Sequence, residues 1–182
     1  LSSQMVRIET RLQRYAGKLH SASTFPIRVA TVAFKHDVNV AFVIRAVACF
    51  GAAGIDVIGS VPPRNGLRDP SGSLSEHVDI EQFENPQAFL TARSDTLIVS
   101  LELTSASIAL DEHTFNMVMP TTLVVGHEET GVPAGVLLSS DVIVHVPMPG
   151  VGYCLNTAMT AHVALYEYVR QQRLRSEHAK AP

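Results

Sequence analysis

Cysteine is scarce in this chain and forms no ligand pattern. Only Cys49 and Cys154 occur among 182 residues, and neither lies in a CxxC or Cys/His spacing. A disulfide framework is therefore not expected, and a reducing, cytoplasmic compartment is. The eight histidines are scattered without metal-ligand spacing, so no metal is expected either. Long apolar runs are missing too. The longest, residues 40–58, is interrupted by Arg45, Gly51, Gly54 and Asp56, so no membrane span is expected. The N-terminus is charged and amphipathic rather than a short apolar core, which argues against a signal peptide. No GxGxxG follows the first predicted strand, and no Walker A, GxSxG or HExxH sequence occurs. These absences argue against the common dinucleotide fold, P-loop enzymes, α/β-hydrolases and zincins. Internal repeats and low-complexity segments are also absent.

What is present fits one domain with short appendages. At 182 residues and 46% hydrophobic content, a chain buries most of its apolar surface without a staple. Net charge is −3, which argues weakly against a nucleic-acid partner, but the charge is unevenly placed. Residues 1–24 carry four basic and one acidic residue, and residues 163–182 carry four basic and two acidic. Residues 25–162 carry six basic and fourteen acidic. Residues 4–20 predict a helix, with Met5, Ile8, Leu12, Tyr15 and Leu19 on one stripe. Arg7, Arg11, Arg14 and Lys18 form a second stripe on the opposite face, able to follow a phosphate backbone or simply to face solvent.

The rest alternates strand and helix. Residues 27–34 and 54–60 predict strands around a helix over 38–50, with Asp37 as a possible cap. Residues 61–76 read as a turn-rich loop, either a connector or a binding element. Helix is expected over 85–92 and 132–138, strand over 96–101, 121–125 and 142–146, and a terminal helix from 155 to about 176. The expected architecture is a single α/β domain, residues 25–176, with a largely parallel sheet flanked by helices. A helical extension, residues 1–24, precedes it, and a tail, residues 177–182, follows it.

Three stretches carry chemistry. In HDVNVAFVIRAVACFGA, residues 36–52, Asn39 and Arg45 stand six apart on an apolar helix. A buried arginine needs a ligand or an internal carboxylate. In LVVGHEETGVP, residues 123–133, a buried strand ends at Gly126, with Glu128 and Gly131 following, and glycines there allow close backbone approach. In the third, residues 142–171, a strand runs into PMPG and a constrained loop before a helix opens near Asn156. Asn156 is either a helix cap or a substrate contact.

In this order and spacing the three stretches resemble the motifs of the SpoU/TrmH family of the SPOUT superfamily, RNA ribose 2'-O-methyltransferases. Asn39 and Arg45 match the first motif. Gly126, Glu128 and Gly131 match the second. Pro147, Met148, Gly150, Leu155, Asn156, Leu165, Tyr166 and Glu167 match the third. Cys154 stands where the family usually has serine, and Gly152 where valine is common.

The resemblance implies a deep C-terminal trefoil knot, a homodimer with the site near its interface, and S-adenosylmethionine as methyl donor. It implies donor binding by Leu123, Val125, Gly126, Val146, Met148, Cys154 and Leu155. It gives catalytic roles to Arg45, Asn39, Glu128 and Asn156, with Arg45 as base or as orienting group. RNA is the expected substrate, because DNA lacks the 2'-hydroxyl. With room for only one helix before the domain, tRNA is placed ahead of rRNA. Arg7, Arg11, Arg14 and Lys18 are candidate phosphate contacts, and Tyr153 stacks on a base or packs as a lid. Two alternatives stay open. One is base or non-RNA methylation on the same fold, prompted by Cys154 and Gly152. The other is a catalytically silent knotted RNA-binding protein.

Overall fold

The computed structural model describes residues 16–18, 22–72 and 74–179. Of the predicted N-terminal helix, only residues 16–18 are described, and they are helical and exposed. Arg7, Arg11 and Arg14 lie outside the described residues.

Valine-, isoleucine- and leucine-rich runs form central strands buried on both faces, as parallel sheets require. The described strands are β1 (Phe25–Val32), β2 (Ala52–Ile58), β3 (Ile80–Phe83), β4 (Leu97–Leu101), β5 (Ile108–Ala109), β6 (Thr121–Val125) and β7 (Val142–His145). They make one sheet in the order β3-β2-β1-β6-β4-β7-β5, parallel at every pairing. All five residues of β6 are buried, which suits its central place between β1 and β4.

The helices are α1 (Asp37–Phe50), α2 (Arg64–Ser71), α3 (Pro86–Ala92), α4 (Ala134–Leu138) and α5 (Thr157–His178). On one face of the sheet α1 and α5 pack together, burying Val40, Val43, Ile44 and Val47 with Ala158, Ala161, Leu165 and Tyr168. The alanines keep that face of α5 low, so the two helices approach closely. On the other face Phe89 of α3 and Val136 of α4 cover Ala30, Ile58, Ile98 and Val124. Asp56 is fully buried there, and two arginines satisfy it. Arg28 Nε donates to it at 2.8 Å, and Arg93 Nε and Nη2 donate at 2.9 and 2.8 Å.

Several boundaries differ from the sequence reading. Asp37 is the first residue of α1, and His36 occupies the cap position without a side-chain bond. The turn-rich stretch contains α2, despite Pro70 within it, because Leu67 anchors it in the α1 core. Strands β3 and β5 are too short for a period-2 pattern to declare them. Parallel pairing to β2 and β7 makes β3 and β5, and burial of Leu67 holds α2; local propensity does not declare them.

Candidate active site

The carboxyl ends of β4, β6 and β7 open into one cleft of about 470 Å³. Ligands in open α/β sheets collect at this end, and the volume suits a small molecule. Leu101, Val125, Val144, Val146, Met148 and Leu155 give the cleft its apolar walls. Glu102, Glu128 and Glu129 are its acidic members, and no lysine or arginine is among the described residues that line it.

The wall at β6 is a tight turn over residues 126–131. His127 and Gly131 exchange both backbone bonds, with His127 N–H to Gly131 O at 3.1 Å and Gly131 N–H to His127 O at 2.9 Å. This geometry demands both glycines. A methyl group on Gly126 would overlap the Gly131 carbonyl carbon, and Gly131 has φ +69° with the Glu102 carboxylate where a side chain would begin. Glu102 in turn ties the turn to β4. One carboxylate oxygen accepts Val132 N–H at 2.8 Å and the other accepts Leu103 N–H at 3.2 Å.

Beside the turn runs a polar relay through three distant segments. Glu128 accepts from Asn39 Nδ2 at 2.6 Å, from Lys35 N–H at 2.7 Å and from His36 N–H at 3.3 Å. Asn39, only 4% exposed, accepts from Asn156 Nδ2 at 3.1 Å. Asn156 Oδ1 then accepts Ala158 N–H at 2.9 Å and Met159 N–H at 3.3 Å, capping α5. Capping and site-building are thus one job, because opposite ends of the same amide do each. Thr157 Oγ1 donates to Gly126 O at 2.9 Å, so the start of α5 is also fastened to the turn.

The relay fixes the charge of Glu128. Partial burial pushes its carboxyl up, but the Lys35 and His36 amides and the Asn39 side chain outweigh this and hold it below the ordinary carboxylate value. A carboxylate so occupied orients its donors and is poorly placed to accept a proton. Next to it, Glu129 pairs with Lys35, which lowers the acid and raises the amine.

Of the residues singled out by sequence, Asn39, Glu128 and Asn156 are brought together. Val125, Gly126, Val146, Met148, Cys154 and Leu155 line the cleft, as does Tyr153, 84% exposed at its edge. Leu123 is wholly buried and does not line it, because it lies one strand turn below the rim. Arg45 is not part of the cleft. It stands six residues past Asn39 on α1, about 9 Å along the axis, and points to solvent. It forms no ion pair with a described residue, so the internal carboxylate an apolar helix would require is not used. Lys18 is exposed, and Arg7, Arg11 and Arg14 lie outside the described residues. Sequence reasoning missed Glu102, Thr157 and Thr160 as lining residues. Glu102 directly follows a strand's carboxyl end, the one signal that would have found it.

Comparison with known proteins agrees with this geometry. Residues 26–166 match the model of the SpoU rRNA Methylase family. The chain is 28% identical over 174 residues to a tRNA (guanosine(18)-2'-O)-methyltransferase of Mus musculus, covering 92% of this chain and 11% of that protein. It is 28% identical over 148 residues to a 23S rRNA (uridine(2479)-2'-O)-methyltransferase of Streptomyces viridochromogenes, covering 74% of this chain and 49% of that one. It thus spans less than two thirds of either relative. A TrmH/SpoU tRNA modifying enzyme of A. aeolicus has the same fold, with TM-score 0.76 at 22% identity over 93% of this chain and 88% of that one.

Proposed function

Because this chain belongs to the SpoU rRNA methylase family, we propose that it methylates a ribose 2'-hydroxyl in RNA, with S-adenosylmethionine as donor. The observation that carries the reading is the Glu128–Asn39–Asn156 relay at the cleft rim, built from the three motif segments. Relatives named for tRNA and for rRNA both match, and tRNA is the substrate to try first.

The cleft fits the donor. Its apolar walls suit an adenine, the strand ends supply backbone groups, and the acidic rim suits a ligand bearing a sulfonium. Val125, Gly126, Val146, Met148, Cys154 and Leu155 would hold it. When bound, it supplies an electrophilic methyl group. The chain's residues bring the hydroxyl to it. Glu128 and Asn39 fix the rim, Asn156 fixes the start of α5, and Arg45 orients the ribose and its phosphate. The exposure of Arg45, without an ion pair to a described residue, leaves its planar fork free to meet a phosphate, which favours the orienting role. Positioning then supplies much of the rate. Cys154, a weaker hydrogen-bond donor than serine, leaves that positioning to its neighbours.

A homodimer completes this reading. Met159, Val163 and Tyr166, at i, i+4 and i+7 on α5, are 39%, 38% and 58% exposed, an apolar stripe that suits a second copy. A partner seated there closes the gap between Arg45 and a cleft. The family's trefoil knot is also part of the proposal. Its support is that β7 enters between β4 and β5, both earlier in the chain, and that Gln171 on α5 bonds the backbone of His113 and Phe115. The exposed free thiols of Cys49 and Cys154 suit a reducing cytoplasm. Among the described residues no helix is long and apolar enough to cross a membrane.

The test uses labelled S-adenosylmethionine with separate unmodified tRNA and rRNA fractions, and Arg45→Ala in parallel. Label recovered as a 2'-O-methyl nucleoside, and lost with Arg45→Ala, is the expected result. Donor binding without label in either fraction would refute it. Sedimentation of Val163→Glu should show dissociation to monomers, and an unchanged assembly would refute the dimer face.

A further inference from the structure

The segment after β2 is not used by the relay or the cleft, yet it reaches Arg45. Helix α2 is anchored on the α1 core through Leu67, 3% exposed, and ends at the buried Ser71. Gly72 follows with φ +68°, and the single 3-10 turn Leu74–His77 beyond it packs against α1. A methyl group at Gly72 would stand 3.2 Å from one Arg45 guanidinium nitrogen and 4.0 Å from its central carbon. That is closer than side-chain carbons ordinarily come, and it is the Arg45 fork that would have to give. Arg45 is exposed and has no ion pair with a described residue, and its planar head lies beside this turn. By contrast Gly66, on α2, has nothing within 4 Å of such a methyl group.

We propose that Gly72 is a positioning residue for Arg45: the bare backbone of the 72 turn is the surface on which the guanidinium is seated, and the segment after β2 thereby controls the reaction. The inference rests on the role proposed for Arg45. It explains why a turn-rich segment carries a glycine at this point, and why its conformation is left-handed. A displacement of a few tenths of an ångström at a group that orients the substrate lowers the rate without touching the donor cleft.

The experiment compares Gly72→Ala, Gly72→Asn and Gly66→Ala in the full chain. It uses methyl transfer to the RNA fraction that accepts label, calorimetric binding of S-adenosylmethionine, and the Arg45 Nε–Hε resonance. That resonance is assigned by its loss in Arg45→Lys. Asparagine adopts the left-handed conformation with little strain, so Gly72→Asn separates the added carbon from backbone strain and guards against misfolding. Both Gly72 variants should lose roughly 3- to 30-fold in kcat, with donor affinity unchanged and the Arg45 resonance shifted. Gly66→Ala should match the parent. Unchanged kcat with both Gly72 variants, or a loss of kcat with an unmoved Arg45 resonance, overturns the proposal. If Arg45→Lys and Arg45→Ala retain full kcat, the role of Arg45 itself fails, and with it this inference. If those two lose activity while Gly72→Ala and Gly72→Asn do not, only the inference fails.

Discussion

Replacing Asn39 by aspartate changes one amide nitrogen to an oxygen and should turn a silent relay into a pH switch. Asn39 Nδ2 lies 2.6 Å from Glu128 Oε1, so Asn39→Asp sets two carboxylates against each other at the same spacing. The contact to Asn156 survives, because Asn39 uses its oxygen there at 3.1 Å. With charge centres about 4 Å apart and an effective dielectric near 20, the repulsion is about 4 kcal/mol. At about 1.4 kcal/mol per pKa unit, the upper apparent pKa of the pair rises by roughly 3. The two acids then titrate as a dyad that shares one proton. Well above that pKa the variant should lose about 4 kcal/mol, on the order of 8–16 °C in Tm for a domain this size. Below it, a shared proton restores a hydrogen bond and most of the loss disappears. The assay is thermal unfolding of parent and variant from pH 5.5 to 8.5, with methyl transfer measured at each pH. A Tm gap that widens with pH, with activity lost in parallel, is expected. A gap of constant size across that range would show that Asn39 and Glu128 are not electrostatically coupled.

Glu102→Ala leaves the buried Val132 amide without an acceptor, a cost of about 1–3 kcal/mol. The 126–131 turn should loosen, and calorimetry should show S-adenosylmethionine binding weakened roughly tenfold or more; unchanged affinity would remove Glu102 from the cleft's architecture. Asp56→Ala takes the buried carboxylate from Arg28 and Arg93, which keep Asp79 and Glu81, and should destabilise the fold by about 1–3 kcal/mol in denaturant melts, with no change in donor affinity per folded molecule. Burial holds the His113 imidazole below the ordinary histidine value of about 6.5. The folded state therefore resists protonating it, so its contribution is full above about pH 6.5 and declines below. His113→Phe should flatten that part of the stability–pH curve. Glu128 and Glu167 are held below 4.5 in the fold, so their contributions are present above that pH and fall away as acid protonates them. Glu128→Gln should reduce the loss of stability as pH falls below about 4.5, and an unchanged acid limb would contradict the saturation of that carboxylate.

The amino-acid sequence by itself determined the alternation of strands and helices, because apolar runs and their turn residues are local and periodic. It also marked the short stretches from which the cleft and its rim are built. Asn39, Glu128 and Asn156 stand out as polar residues at the boundaries of apolar elements, and a glycine-bounded turn after β6 is visible as spacing. Only the tertiary structure decided that those three residues form one hydrogen-bonded relay, since 89 and 117 positions separate the partners and no local pattern encodes such a meeting. The strand order is likewise nonlocal. Nothing within residues 121–125 or 142–145 says that β6 inserts beside β1 or that β7 parts β4 from β5. Short pieces such as β3, β5 and α2 exist because neighbours pair with them or, through Leu67, bury them, where propensity alone does not suffice. Arg45 shows the difference most directly. On an apolar helix it reads as a buried charge in need of a partner, but the pitch of α1 turns it outward, onto a glycine whose lack of a side chain acquires meaning only in three dimensions.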